Sequence, residues 1–394
     1  MLIGLLALAQ CGDQDLTKDF QEICSENGFL FETHEVVTAD GYINTIFRIP
    51  GKIGEATTSK PPVYFQHGIL DSADAWIMNE PDVAPAFFLA NQGYDIWLGN
   101  SRGNKYSMSH TTLTTKDADY WKFSFQQMGD YDDPANLEYI KAETGFAKSA
   151  YIAHSQGTTQ MFYALSHNES YFAEHVSVFF ALGPVLRLSN CKSDLISFFA
   201  AFDWLIEDVC ELFGIYDMFP ANWIDDTATQ ILCGYIPELC DFGVYLICDE
   251  DTDLDNTVRL EDYTGGHFPS GTGLYTLVHY AQILNSGQFQ QYDFGKNKNE
   301  DVYGQKTPPI IDISNIKGDV PICMFVGAED ELADTTDAEW ARDQMGDAVK
   351  FYHEYQLGHL SFLVAKETSW FTLDLYNLLQ QYWPSTTTQT QANI

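Results

Sequence analysis

The stretch that most constrains this chain is residues 149–165, SAYIAHSQGTTQMFYAL, where an apolar run ends at a serine and a helical pattern begins. Ala150, Ile152 and Ala153 read as the end of a buried strand. Met161, Phe162, Ala164 and Leu165 recur at roughly helical spacing. A strand that turns directly into a helix needs small side chains two residues before and two after the turning residue, because a larger Cβ there strikes the neighbouring backbone. Ala153 and Gly157 meet that need around Ser155. Such a turn holds the hydroxyl out at the top of a sheet and aims the backbone N–H groups that open the helix at the same point. A pattern this loose also arises by chance, so its chemistry rests on what the rest of the chain supplies.

The 394 residues, 45% of them hydrophobic, suffice for a large core and predict more than one subregion. Acidic residues outnumber basic ones 56 to 20, a formal charge of −36, which argues against a nucleic-acid partner. A surface this negative repels anionic membranes at neutral pH and loses much of that repulsion where carboxylates protonate. It fits an acidic compartment, or a secreted protein kept soluble by its charge. Residues 1–9, MLIGLLALA, fit the end of a secretory signal cleaved before Gln10, with a buried N-terminal strand as the competing reading. The most apolar long stretch, residues 193–216, is interrupted by Asp203, Glu207 and Asp208, so no transmembrane segment is expected. Among eight cysteines, Cys233, Cys240 and Cys248 cluster; a local disulfide between Cys233 and Cys240 is the expected pairing. Metal binding is disfavoured there because paired CxxC or nearby histidine spacing is missing. Asn168-Glu169-Ser170 is the single N-glycosylation sequon and is expected in a surface loop after a helix.

Taken in order, residues 35–49 alternate apolar and polar around Asp40-Gly41 and read as a β-hairpin. Val63–Phe65 form a buried strand that stops at Gln66-His67-Gly68-Ile69, leaving free backbone N–H groups at a strand end; that of Ile69 is the candidate oxyanion donor. Residues 93–98 give another strand and residues 99–104, GNSRGN, a tight polar loop without the glycine spacing of a phosphate site. A helix with a break at Pro134 is expected over residues 119–142. Val176–Leu182 form the next strand, and alternation of strand with helix implies a parallel sheet. After Gly183-Pro184 the texture turns aromatic and helical until about residue 311, with Leu195, Phe198, Phe199, Phe202, Ile206, Val209 and Phe213 on one helical face. This predicts a helical cap over residues 185–311, inserted into a sheet domain made of residues 10–184 and 312–383. Sheet texture resumes at residues 320–326 and 351–357, a helix is expected from about 368 to 382, and residues 384–394 are expected to be disordered.

An α/β-hydrolase presents its catalytic groups in the chain order serine, acid, histidine, the last two each just past a late strand. Ser155, Asp330 and His359 satisfy that order. Asp334 and Glu329 are rival acids; Asp330 lies closest to its strand after a glycine turn. The chain resembles the acid lipase family, that of the gastric and lysosomal acid lipases and related sterol ester hydrolases. The likeness runs from about residue 18 to 383 through HEVVTADGYINTIFRIP, QHGILDSADAW, GYDIWLGNSRGNKYS, AHSQGTTQ, CDFGVYLIC, GAEDELAD and GHLSF. The resemblance implies an α/β-hydrolase fold, a mostly parallel sheet flanked by helices with an inserted helical cap and lid. It further implies Ser155 as nucleophile, Asp330 as acid, His359 as base, the N–H groups of Ile69 and Gln156 as oxyanion hole, and the Cys233–Cys240 disulfide. Ala153 replaces the first glycine of the serine turn, the Cys233–Cys240 segment is shorter than in gastric members, and Ser361 stands where the family carries an acidic residue.

The expectation is therefore a secreted or lysosomal serine lipase that cleaves the ester bonds of triacylglycerols, and of sterol esters second. Its partner would be neutral lipid at an interface, met through the cap, and its chemistry needs no metal and no organic cofactor. The alternatives are a soluble short-chain carboxylesterase and a catalytically silent lipid-binding protein of the same fold.

Overall fold

The computed structural model describes residues 14–55, 59–192, 197, 200–201, 210, 212–221 and 254–383. Among these, nine strands form one sheet. Eight of them are β1 (Glu32–Val37), β2 (Tyr42–Ile49), β3 (Pro62–Gln66), β4 (Asp95–Leu98), β5 (Ser149–His154), β6 (Val176–Leu182), β7 (Ile322–Gly327) and β8 (Val349–Tyr355). Their spatial order is β1-β2-β4-β3-β5-β6-β7-β8, and the short strand Ser109–His110 pairs with β2. Only β2 runs against its neighbours; from β4 to β8 every pairing is parallel. Parallel neighbours require crossovers, and the intervening helices supply them on both faces of the sheet.

Strand residues alternate between two cores for that reason. Tyr64, Trp97, Tyr151, Phe179 and Met324 face one apolar cluster, while Val63, Phe65, Ile96, Ile152, Phe180 and Phe325 face the other. Each central strand therefore reads as a continuous apolar run, and no residue of β3, β4 or β5 is more than slightly exposed. Burying both faces stabilises these strands by roughly 25 cal/mol per Å² of apolar surface.

Among the described residues, the region between β6 and β7, which the sequence assigns to a cap, contributes no strand to the main sheet. Of its described residues, the helix Leu274–Ser286 packs Leu274, Leu277, Tyr280 and Ile283 into the same cluster as Tyr151 and Phe162. Residues 257–267 are helical, as Thr257–Asp262 continues into the wider turn Tyr263–His267. Most of the apolar cap face named above, and both Cys233 and Cys240, lie outside the described residues, as do residues 1–9 and 384–394.

Two local expectations are corrected. Pro134 does not end the helical stretch: Phe125–Gln127 runs through the wider π-type turn Met128–Asp132 into Asp133–Thr144, and it is that widened turn, immediately before Pro134, that accommodates a residue without an N–H. Asn168 is not in a loop after the helix. It is exposed at a kink inside the helical stretch Gln156–His175, with φ −142° and ψ 40°, and its neighbour Glu169 accepts bonds from the backbone N–H groups of Lys317, Gly318 and Asp319.

Candidate active site

Ser155 occupies the join between β5 and the helix Gln156–His175 with φ 52° and ψ −119°. An L-residue held there costs on the order of 1–3 kcal/mol, so the surroundings must impose it. They do so by close approach. A Cβ on Gly157 would lie 2.5 Å from the carbonyl oxygen of Gln66 and 2.9 Å from that of His67, so only glycine lets the helix start against the end of β3. On the other side of the turn Ala153 is fully buried, and the fold accommodates its one methyl. The Ser155 N–H donates to the carbonyl of Leu182 at the end of β6.

The other candidates converge on this hydroxyl. Nε2 of His359 lies 2.8 Å from Ser155 Oγ, and Nδ1 of His359 lies 2.7 Å from Asp330 Oδ2. The remaining oxygen of Asp330, Oδ1, accepts from the N–H groups of Leu332 and Ala333, which fixes the carboxylate's orientation. The rival acids are occupied elsewhere or turned away: Asp334 caps the helix Thr335–Met345 and pairs with Lys192, and Glu329 is exposed. Gly183, at φ 52°, leaves the space this pair needs, since a Cβ there would lie 3.3 Å from both Asp330 Oδ2 and His359 Nδ1.

The segment after β3 passes directly beside the serine. A Cβ on Gly68 would be 3.1 Å from Ser155 Cβ and 3.6 Å from Oγ, so the Gly68-Ile69 backbone runs along the hydroxyl, while Gln156 opens the helix behind it. The geometry thus brings Ser155, Asp330, His359 and the backbone carrying the Ile69 and Gln156 N–H groups to one rim of the sheet. A hydroxyl bonded to an imidazole that is bonded to a buried carboxylate can deliver an activated oxygen nucleophile.

Two family models match the chain: a partial α/β-hydrolase lipase region over residues 20–80 and the α/β-hydrolase fold over residues 61–206. Gastric triacylglycerol lipase of Rattus norvegicus is 35% identical over 371 residues, covering 92% of this chain and 92% of its own length. Lipase member K of Homo sapiens is 34% identical over 370 residues, with 92% of this chain and 91% of its own covered. The chain belongs to the acid lipase family of α/β-hydrolases. Among solved structures, that of DcsB in complex with its substrate analogue superposes with a TM-score of 0.52 at 13% identity, covering 90% of this chain and 100% of that one, a likeness of fold.

Within this acid lipase framework, Ser361 has a definite position. It is fully buried and its hydroxyl accepts the Gly358 N–H at 3.0 Å, closing the turn that presents His359. Sequence reasoning missed a set of buried polar residues behind the site. His154 Nε2 lies 3.0 Å from the carbonyl oxygen of His359. His67 Nδ1 lies 2.7 Å from the carbonyl oxygen of Gly68, and its Nε2 accepts from the Ser101 N–H. Arg102, with no exposed side-chain surface, pairs with Asp40 and Asp132 and stacks 3.8 Å over the ring of Tyr42. The GNSRGN stretch containing it is thus no surface loop: Asn100, Ser101, Arg102 and Asn104 are all buried. Its only signal in the sequence was an arginine without a nearby acid, which marks a partner brought from elsewhere in the fold.

Proposed function

We propose that this protein hydrolyses the carboxylic ester bonds of neutral lipids, triacylglycerols first and sterol esters second, through an acyl-enzyme on Ser155. One observation carries the reading: the unbroken relay from Ser155 Oγ through His359 to Asp330, at 2.8 and 2.7 Å. His359 Nε2 takes the hydroxyl proton as Oγ bonds to the ester carbonyl carbon. Asp330 holds the Nδ1–H tautomer and stabilises the imidazolium. The Ile69 and Gln156 N–H groups receive the oxyanion. Collapse of the tetrahedral adduct breaks the ester C–O bond, and the imidazolium protonates the departing alcohol. Water then repeats the sequence on the acyl-enzyme, giving its proton to His359 and releasing the fatty acid as Ser155 is restored.

Membership in a family whose relatives are named as triacylglycerol lipases supports the substrate class. In this reading residues 10–184 and 312–383 form the hydrolase core, and residues 185–311 form a cap that meets the lipid interface. The protein works in a secreted or lysosomal lumen, after loss of residues 1–9, with a Cys233–Cys240 disulfide and a glycan on the exposed Asn168; residues 384–394 are a tail. Among the described residues no helix is long and apolar enough to cross a membrane.

The test is Ser155→Ala assayed on emulsified triacylglycerol beside a serine-directed covalent probe. Hydrolysis should fall on the order of 10³-fold or more while the fold persists. Retained turnover in the folded variant would remove Ser155 from the mechanism. Turnover that fails to rise as substrate passes from monomer to droplets would mark a soluble short-chain esterase.

A further inference from the structure

We propose that His67 is a positioning residue for the oxyanion hole: its Nδ1–H holds the carbonyl of Gly68 and so aims the Ile69 N–H, at the other side of the same peptide bond, toward the space beside Ser155. The inference rests on the reading of Ser155 as nucleophile and goes beyond it, because His67 touches no reacting atom.

The hydrogen bonds at Nε2 fix the tautomer of His67. Nε2 of His67 lies 3.0 Å from the Ser101 N–H nitrogen and 3.2 Å from Asn104 Nδ2, both donors, so Nε2 must be the bare, accepting nitrogen. The ring's one proton is then on Nδ1, 2.7 Å from the Gly68 oxygen, where it donates. The imidazole is 1% exposed, and burial holds its pKa down to about 4 against the opposing bond to Gly68, so the neutral ring persists through the mildly acidic range.

A peptide unit is planar, and in its trans form the C=O and N–H point in opposite directions. The Phe268-Pro269 bond is the cis bond of the described chain, so Gly68-Ile69 is trans. Holding the Gly68 oxygen toward His67 therefore sends the Ile69 N–H away from it. The glycine's open side faces Ser155 Cβ and Oγ, as the approach distances above require. Further clamps hold the following residues: the Leu70 carbonyl, on a residue at φ 60°, accepts the Ser270 N–H at 2.6 Å, and the Asp71 carbonyl accepts from Asn104. An oxyanion donor needs such fixing, because its contribution to rate depends on being oriented before charge develops.

His67→Phe keeps the ring's bulk and deletes the donor. Kinetics on a soluble ester should show kcat falling roughly 10²–10³-fold with KM nearly constant, the signature of an interaction made in the transition state. Affinity for a long-chain alkyl trifluoromethyl ketone should fall in step with kcat. That ketone adds reversibly to the serine oxygen, passing the hydroxyl proton to His359 and leaving an oxyanion in the hole. A variant with unchanged kcat, or with its loss in KM alone, overturns the proposal. Should the variant not fold, nitrogen NMR of the wild-type imidazole still decides: protonation at Nδ1 supports the role and protonation at Nε2 overturns it. Activity surviving in Ser155→Ala defeats the underlying reading, whereas an inactive Ser155→Ala beside a fully active His67→Phe defeats the aiming role alone.

Discussion

The carbonyl oxygen of His359 sits 3.0 Å from Nε2 of His154, so the residue preceding Ser155 clamps the backbone of the histidine bonded to the Ser155 hydroxyl. The two rings lie 4.7 Å apart, and burial, reinforced by His359, holds the pKa of His154 well below the ordinary histidine value. A neutral His154 facing a carbonyl must carry its proton on Nε2, and its Nδ1 has no hydrogen-bond partner among the described residues. His154→Phe removes the donor while filling the space. Stability should drop by about 1–3 kcal/mol, the cost of an unpaired buried carbonyl. Because small misplacements of a catalytic group are expensive, kcat should fall about tenfold or more. Denaturant melts and steady-state kinetics on the same preparation check both.

Gly183 gives a second prediction about His359. Its φ of 52° makes any side chain cost about 1 kcal/mol, and an added Cβ would press on Asp330 Oδ2 and His359 Nδ1 at 3.3 Å. Neither atom can retreat without lengthening their mutual bond. Gly183→Ala should therefore lower kcat about tenfold, and Gly183→Val should abolish most turnover, with modest losses of stability. An alanine variant at wild-type kcat would show that the pair tolerates displacement.

These residues also show what the chain discloses in one dimension. Ser155 was legible because its turn needs small neighbours within two positions, a demand that local sequence records directly. The strands were legible because a sheet covered on both faces needs unbroken apolar runs. Choosing among Glu329, Asp330 and Asp334 was harder, since all three follow the same strand. What separates them is that the Leu332 and Ala333 N–H groups seize one oxygen of Asp330 while Asp334 is spent on a helix cap. His67, His154 and Arg102 were illegible as a group, because their partners Gly68 O, His359 O, Asp40 and Asp132 are fixed by tertiary approach or by a backbone atom that carries no sequence identity.

Arg102 illustrates the energetic weight of that hidden layer. Burial would lower its pKa, but Asp132 and Asp40 outweigh it and push the guanidinium's pKa higher still, so the charge is permanent. The side chain joins the β1–β2 turn at Asp40 to Asp132 in the wider turn just before Asp133–Thr144, and its own loop carries Ser101 and Asn104 to His67. Arg102→Met leaves buried carboxylate behind and should cost about 3–5 kcal/mol in unfolding free energy. Loss of under 1 kcal/mol would mean that the neighbouring carboxylates find other partners.

Asp71, two residues beyond Ile69, makes stability depend on pH. It is 2% exposed, and burial, opposed by its bond from the Ser72 N–H, pushes its pKa up to about 7, with Asp74 adding repulsion and Lys105 partly offsetting it. An unfolded aspartate titrates near 3.9. Between those values the folded state binds more protons than the unfolded one, so this group's contribution is fully present below about pH 4 and is lost progressively as pH rises to about 7. Above that the loop beside Ser155 must hold a buried, ionised carboxylate. Asp71→Asn should therefore flatten the profile, gaining stability over wild type by an amount that grows from pH 4 to pH 8, on the order of a few kcal/mol at most. Urea melts of both proteins across that range measure the difference directly. A constant offset at every pH would mean that Asp71 is as ionised in the folded protein as in the unfolded chain over the whole range. A difference that widens toward neutral pH ties the best-held state of the segment beside Ser155 to acidic conditions, through one carboxyl group that solvent does not reach.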